Sequence, residues 1–202
     1  GSSSYSYDLS LASVLLSDPD DPDDPDDPDE PLPALPAHLG PDSGTEMVEG
    51  AQVVLDWQNA ADATSYVAEL VSEQGNVINS GTLANSEWAV GTLPVGSYTW
   101  YVEAHNAVGG SGWTVAWSFA MLPTAPTALQ VESSSCTILT LQWQDNSLQE
   151  QGYVIYRDGT FLADIGANST NYHDFAVGPE ETHSYQLYAY RGGVNSQMTA
   201  VV

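Results

Sequence analysis

Short runs of alternating apolar and polar residues, separated by Gly, Asn, Asp and Pro, recur from about residue 37 to the end of the chain. In "VVLDW", Val53, Leu55 and Trp57 fall on one face of a strand, because successive side chains of a strand point in opposite directions. The runs lack the period of a helix. Strands at such short, regular spacing are typical of β-sandwiches.

The pattern divides into two zones, residues 37–122 and residues 123–202, and the chain of 202 residues is long enough for two domains of about 100 residues each. The second zone contains "YRDGT", in which Asp-Gly tolerates the positive φ that a tight two-residue hairpin turn requires. We therefore expect an all-β protein made of two sandwiches in tandem.

Several longer motifs recur in the same order in both zones. The first zone contains "VVLDWQNAADATSY" and "LPVGSYTWYVEAHNAVGGSGW", and the second contains "ILTLQWQDNSLQEQGYVIYRDG" and "VGPEETHSYQLYAY". These motifs resemble the strands and corners of fibronectin type III domains, which are immunoglobulin-like sandwiches, over nearly all of residues 31–202. The resemblance implies that Trp57 and Trp143 are core tryptophans. It also implies that Tyr98 and Tyr185 are corner tyrosines whose hydroxyls bond to nearby backbone.

Residues 17–36 form a stretch rich in Asp and Pro, with nine acids between Asp18 and Glu30. Proline at every third position matches the three residues per turn of a polyproline II helix, and like charges extend the chain further. We expect a semi-rigid spacer in which residues 18–31 reach roughly 40 Å. An extended chain cannot wrap its own carboxylates around one ion, so the spacer predicts no dedicated calcium site and at most a weak association with calcium.

Residues 1–16 precede the spacer and have the pattern of a surplus strand. One face carries apolar side chains and the other carries serine and aspartate, and after Ala12 the register shifts. A lone strand of this kind needs a partner sheet. We therefore expect this arm to add to a sheet edge of a neighbouring molecule through Tyr5, Tyr7, Leu9, Leu11, Val14 and Leu16.

Two other interpretations of the arm remain open. Leu9, Ala12 and Leu16 also fit one face of a short amphipathic helix, although serine and β-branched residues weaken it. The arm also fits the stub of an upstream domain or a secretion tail.

Composition excludes several functional classes. Lysine is absent, and the formal net charge is −25, so the surface repels phosphate backbones and anionic lipid; no nucleic-acid partner is expected. Cys136 is the single cysteine, which rules out an intrachain disulfide and a thiolate metal cluster. No run approaches the roughly 20 apolar residues that span a bilayer, and no signal peptide is visible.

The sequence shows no constellation for catalysis. Its histidines lack metal-ligand spacing and are not paired with a serine elbow or a thiol, so we expect scattered surface or edge residues: His38, His105, His173 and His183. No glycine-rich phosphate loop is present. We predict that the protein is not an enzyme and binds no cofactor or metal.

Other surface features have less specific meanings. Asn168-Ser169-Thr170 fits the N-glycosylation acceptor pattern. Trp88, Trp113 and Trp117 would contact carbohydrate or protein if they are exposed, and would pack in the core or at the domain junction if they are not.

These observations predict an extracellular or cell-surface structural protein, a subunit of a filament or surface assembly joined by N-terminal strand addition. The alternative is a non-catalytic binding or spacer module of a secreted enzyme or an adhesin.

Overall fold

The computed structural model describes residues 30–202, which form two β-sandwiches in tandem. In the first sandwich the strands are β1 (His38–Gly40), β2 (Thr45–Val48), β3 (Gln52–Trp57), β4 (Ser65–Ser72), β5 (Val77–Asn79), β6 (Glu87–Thr92), β7 (Gly96–His105) and β8 (Trp117–Leu122). One sheet has the order β1-β3-β6 and the other the order β2-β8-β7-β4-β5. The pairs are antiparallel except that β2 runs parallel to β8.

In the second sandwich the strands are β9 (Thr127–Ser135), β10 (Ile138–Gln144), β11 (Gly152–Arg157), β12 (Thr160–Gly166), β13 (Asn171–Asp174), β14 (Tyr185–Arg191) and β15 (Val194–Asn195). The sheets have the orders β13-β10-β9 and β12-β11-β14-β15. Residues 196–202 continue beside β14 with wider spacing between hydrogen bonds: Ser196 N donates to Ala189 O at 2.8 Å and Thr199 N to Leu187 O at 2.9 Å.

Buried and exposed residues alternate along the strands in the order that the apolar and polar residues of the sequence predicted. Val53, Leu55 and Trp57 are at most 1% exposed, whereas Val54 between them is 46% exposed. Along β7 every second residue is buried over the full length of the strand. Trp143 is buried in the core of the second sandwich, as the resemblance implied. Side-chain period therefore determines which face of each strand enters the core.

The Asp-Gly turn between β11 and β12 also forms as expected. Arg157 pairs with Thr160 across it, and Asp158 and Gly159 have φ values of 52° and 75°. Two successive positive φ values are what the right-handed twist of a two-residue hairpin requires.

The end of the Asp/Pro-rich stretch packs on the first sandwich. Pro33 and Pro36 are buried, three residues apart. Asn106 Nδ2 donates to the carbonyl of Pro31 at 2.8 Å, and Ala34 N donates to Ala61 O at 3.0 Å. The chain therefore enters the first sandwich at the pole formed by its 58–63 and 106–112 loops.

The opposite pole of the first sandwich contacts the second. Val95, Leu122 and Val194 form a small buried cluster between the two. The carboxylate of Glu49 accepts hydrogen bonds from Thr124 N at 2.9 Å and from Leu148 N at 3.3 Å. Burial acts to raise the pKa of Glu49, but the hydrogen bonds outweigh burial and lower the pKa. The junction is thus a packed, hydrogen-bonded contact.

Candidate functional site

The predicted interface residues of the arm, Tyr5, Tyr7, Leu9, Leu11, Val14 and Leu16, lie outside the described residues. Strand addition by the arm therefore stays a prediction. What the structure does provide is the set of surfaces that a partner could contact: the sheet edges, the exposed aromatic side chains and the polar clusters of residues 30–202.

The outer edges of the sheets differ in charge and length. Glutamate or aspartate occurs on β2, β6, β9, β12 and β13. The edge strands β1 and β5 carry no acid but are three residues long. Residues 194–202, at the edge of the second sandwich, form the longest uncharged edge among the described residues. Acidic side chains on an edge discourage pairing with another chain, so this uncharged edge is the least protected.

The corner tyrosine of the first sandwich forms the backbone hydrogen bond that the resemblance implied. Tyr98 Oη donates to the carbonyl of Pro94, four residues upstream, at 2.8 Å. Burial raises the pKa of the Tyr98 phenol, which therefore stays a donor at neutral pH. The hydrogen bond ties the start of β7 to the preceding turn.

The prediction for Tyr185 is wrong in its partner. Tyr185 Oη donates to a carboxylate oxygen of Asp174 at 2.9 Å, and not to the backbone. Asp174 ends β13 and is 1% exposed, so it places a buried charge within reach of the phenol. Arg157 Nη1 donates to the same carboxylate oxygen at 2.8 Å and Ala176 N to the other at 2.9 Å. A buried carboxylate with three donors is a better acceptor than a neutral carbonyl.

The electrostatics of this cluster follow from its donors. Burial acts to raise the pKa of Asp174, but the hydrogen bonds from Ala176 N, Tyr185 and Arg157 outweigh it and lower the pKa. Asp174 is therefore ionised at neutral pH and compensated by the guanidinium. The arrangement supplies a structural anchor, since each group already has its partner within the sandwich.

The histidines occupy four separate environments. His38 is a half-buried edge residue whose ring stacks on Trp117 at 4.5 Å and meets Trp100 edge-on at 4.4 Å. His173 bonds to Thr140, and His105 lies 3.3 Å from Glu103. The aromatic cluster around His38 could not be predicted from local pattern, because its tryptophan neighbours come from strands more than sixty residues away.

His183 has two carboxylate neighbours. Its Nδ1 is 2.7 Å from Asp158 and its Nε2 is 3.2 Å from Glu181. These hydrogen bonds raise the pKa of His183, and the donors Ser184 N and His183 lower the pKa of Asp158 to about 2. The three side chains fasten the loop before β14 to the hairpin turn.

The three candidate contact tryptophans have different positions. Trp88 and Trp117 are partly buried and pack on the first core. Trp113 is 43% exposed and is the one of the three that presents its ring to solvent. The glycosylation candidate Asn168 is exposed in the turn between β12 and β13, with φ of 58°. Its side chain is accessible to modification, which remains a prediction.

Metal-ligating side chains do not cluster in residues 30–202. Within this part of the chain no group of three or more His, Cys, Asp or Glu side chains could hold a metal ion. Both arginines are engaged within the fold, since Arg157 bonds to Asp174 and Arg191 Nη1 donates to the carbonyl of Gln149 at 2.8 Å. No helix of the described residues is long and apolar enough to cross a membrane.

Comparisons with known proteins agree with this architecture. No family model matches the sequence, and no curated protein matches it. Among solved structures, a two-domain fibronectin type III segment from chicken tenascin is similar with a TM-score of 0.60 at 14% identity, over 85% of this chain and 99% of that chain. The chain has the fold of two tandem fibronectin type III domains. The FN1–FN3 domains of chicken CNTN1 also match, with a TM-score of 0.38 at 13% identity, over 84% of this chain and 64% of that chain.

The fibronectin type III fold confirms the fold class and the resemblance drawn from the recurring motifs. A fold of this kind is a scaffold on which unrelated functions are built, so function has to be argued from particular surfaces. In this tandem fibronectin type III pair those surfaces are the uncharged edge of the second sandwich and the exposed ring of Trp113.

Proposed function

We propose that this chain is an extracellular structural protein, a subunit of a filament or surface assembly that is joined by addition of its N-terminal arm to a neighbouring subunit. The observation that carries the proposal is a surplus amphipathic strand. Residues 38–202 supply both sheets of both sandwiches, so residues 5–16 are not needed to form them and are surplus to their own molecule. We expect the Asp/Pro-rich spacer, residues 17–36, to hold the arm away from its own body.

The polarity of the molecule supports linear assembly. The described chain begins at the pole of the first sandwich where Asn106 bonds to Pro31, and the spacer and the arm precede it in sequence. The second sandwich lies beyond the opposite pole, where Glu49 bonds to Thr124 and Leu148. An arm at one end and an acceptor at the other give a heterologous contact, which produces open filaments when the rotation between subunits does not close.

The free energies of side-chain burial and of association set a condition on the contact between the arm and its acceptor. Burying four side chains such as Tyr5, Tyr7, Leu9 and Leu11 contributes about 6–12 kcal/mol at about 1.5–3 kcal/mol each. Association costs about 4–15 kcal/mol, so side-chain burial alone gives a marginal contact. Ladder hydrogen bonds to a sheet edge have to add to it, which is why the acceptor must be an edge with free backbone groups. Weak calcium association with the acidic spacer would reduce repulsion between neighbouring chains.

Deletion of residues 1–16 tests the proposal. We expect the intact chain to form polymers under negative-stain electron microscopy and the deleted chain to be a monomer by light scattering. A matched pair of point variants separates strand addition from a general effect of the tail. Tyr7→Ser with Leu9→Ser should abolish polymers, whereas Ser6→Ala with Ser10→Ala, on the other face, should preserve them. Polymers that persist after the deletion would end the proposal.

A second function is favoured by one observation, the exposed ring of Trp113. The chain would then be a non-catalytic binding or spacer module of a secreted enzyme or an adhesin, with the packed junction holding the two sandwiches in a fixed relation. This function predicts a monodisperse monomer at high concentration for the intact chain. It also predicts that Trp113→Ala, but not Trp88→Ala, weakens binding to a carbohydrate or protein ligand.

A further inference from the structure

A groove runs along the uncharged edge of the second sandwich. It has a volume of about 410 Å³ and lies between the start of β9 and the C-terminal segment, lined by Pro126, Ala128, Leu129, Met198, Ala200 and Val202 together with two threonines. Its volume lies within the range of pockets that bury most of a bound ligand, about 300–1,000 Å³. Leu129 forms part of the second core, so the groove is lined by core as well as by edge residues.

The first sandwich fills the same position with its own chain. There β2 lies parallel to β8, with Thr45 opposite Phe119 and Val48 opposite Leu122, and Met47 packs on the core. In the second sandwich the chain passes from the end of β8 through four residues into β9. Among residues 30–202, no strand other than β14 pairs with residues 196–202. The first sandwich of the same molecule has β2 at this position. By comparison, the groove of the second sandwich is the place of a missing strand.

The backbone at this edge is available for pairing. Among residues 30–202, the N–H groups of Met198, Ala200 and Val201 form no hydrogen bond, whereas those of Ser196 and Thr199 are used toward β14. The side chains of Met198 and Val201 are 42% and 61% exposed. Amides of alternate residues point to the same side of an extended chain, so an added strand would pair with the N–H groups of Met198 and Ala200 and cover the exposed apolar side chains beside them.

We propose that this groove is the acceptor for residues 5–16 of a second copy of the chain, which add parallel to residues 196–202 as β2 adds to β8. The inference rests on the proposed function and names its acceptor site. The Tyr5, Tyr7, Leu9 and Leu11 face would enter the groove. The eight residues of Tyr5–Ala12 match the seven residues of the open edge in length.

Charge and position favour this occupant. The formal net charge is −25, yet residues 1–16 contain a single acid, Asp8, and residues 194–202 contain none. Arm and groove can therefore approach with less repulsion than most other pairs of surfaces. The groove extends toward the end of the second sandwich where Val202 pairs with Tyr185, far from the pole of the first sandwich where the described chain begins. To reach its own groove, the arm would have to turn back along the first sandwich and on to the far end of the second. The strands β7 and β14 together span about 56 Å, more than the roughly 40 Å that the extended spacer reaches.

Disulfide trapping between two separate chains tests the site. Cys136 is exposed and is replaced by serine in both. One chain carries Leu9→Cys, and the other lacks residues 1–16 and carries Met198→Cys. Ile78→Cys on β5 is the matched control, because Ile78 is 43% exposed and Met198 is 42% exposed. Under mild oxidation we expect at least ten times more covalent dimer with Met198→Cys than with Ile78→Cys, measured by intact mass. Equal yields would overturn the inference.

Two further experiments distinguish the remaining outcomes. A single chain carrying both Leu9→Cys and Met198→Cys should give intermolecular products, and a closed monomer would overturn the assignment to a second copy. A peptide of residues 3–16 should bind the chain that lacks residues 1–16, and Met198→Asp should weaken binding at least tenfold while Ile78→Asp leaves it unchanged. Circular dichroism checks that each variant is folded. If Met198→Asp does not fold, the binding test is repeated with Ala200→Arg.

The failure of this site is distinguishable from failure of the proposed function. If deletion of residues 1–16 abolishes polymers but Met198→Cys traps no more dimer than Ile78→Cys, the arm has another acceptor. In that case only the assignment of the groove as the acceptor is wrong. If the deletion leaves polymers intact, strand addition itself is wrong and the acceptor falls with it.

Discussion

Tyr98 and Tyr185 occupy corresponding corners of the two sandwiches, but their hydroxyls donate to different acceptors. In the first sandwich the acceptor is a neutral carbonyl four residues away along the chain, at 2.8 Å. In the second it is the buried carboxylate of Asp174, at 2.9 Å, which is also paired with Arg157. One corner is closed by a local hydrogen bond, and the other by an ion pair that joins three strands.

The difference accompanies a difference in core size. Among residues 30–202, thirteen buried residues form the first core, including Trp57 and Trp100, and eight form the second, which includes Trp143. A sandwich with less apolar burial has less margin for a lost polar contact. Within one fold, the two sandwiches therefore depend on different interactions, and the second depends more on electrostatics.

Loss of Asp174 should have the largest effect on this comparison. Asp174→Ala leaves the guanidinium of Arg157 and two other donors without their acceptor. Removing one partner of a buried ion pair typically costs about 3–5 kcal/mol, and we expect about 3 kcal/mol because the Arg157 side chain is 25% exposed. Urea unfolding followed by ¹⁹F NMR of fluorotryptophan resolves the two sandwiches, since Trp143 reports the second. Glu132→Ala, at an exposed acid on β9 of the same sandwich, is the control, and an equal loss of stability in both variants would contradict the prediction.

The two tyrosine hydroxyls should differ by a smaller amount. Tyr185→Phe removes a hydrogen bond to a charged acceptor, which is worth about 1.5–3 kcal/mol, and Tyr98→Phe removes one to a neutral acceptor, worth about 0.5–1.5 kcal/mol. We expect losses of about 2 and about 1 kcal/mol, each confined to its own sandwich. The same fluorotryptophan signals measure both. A larger loss for Tyr98→Phe would mean that the ion pair does not strengthen the second corner.

The two sandwiches should also differ in the pKa values of their histidines, and this difference should have the smallest effect on stability. Burial between Trp100 and Trp117 lowers the pKa of His38, whereas the bonds to Asp158 and Glu181 raise the pKa of His183. The ion pairs of His183 therefore contribute fully below pH 6.5, the ordinary value, and are lost as pH rises through its higher pKa. NMR titration of the histidine ring protons should give one value on each side of 6.5. Asp158→Asn should move the His183 value down and leave His38 unchanged.

The structural features that depend on neighbouring residues, such as buried strand faces and tight turns, could be predicted from the sequence. Period-two alternation identified the buried faces of β3 and β7, and Asp158-Gly159 identified a hairpin turn, because both are set by neighbouring residues. The carboxylate partner of Tyr185 could not be read in this way, since Asp174 reaches it from a strand of the opposite sheet. The parallel pairing of β2 with β8 and the stacking of His38 on Trp117 were missed for the same reason: each depends on residues far apart in the chain.

The engagement of both arginines has a consequence for digestion. Lysine is absent, so an enzyme of trypsin-like specificity has two peptide bonds in the whole sequence to cleave, those after Arg157 and Arg191. Each of these residues ends a paired strand and holds its guanidinium against a carbonyl of the second sandwich. Such an enzyme must wait for that sandwich to open before it can cut, and its rate of cutting would then measure how often opening occurs.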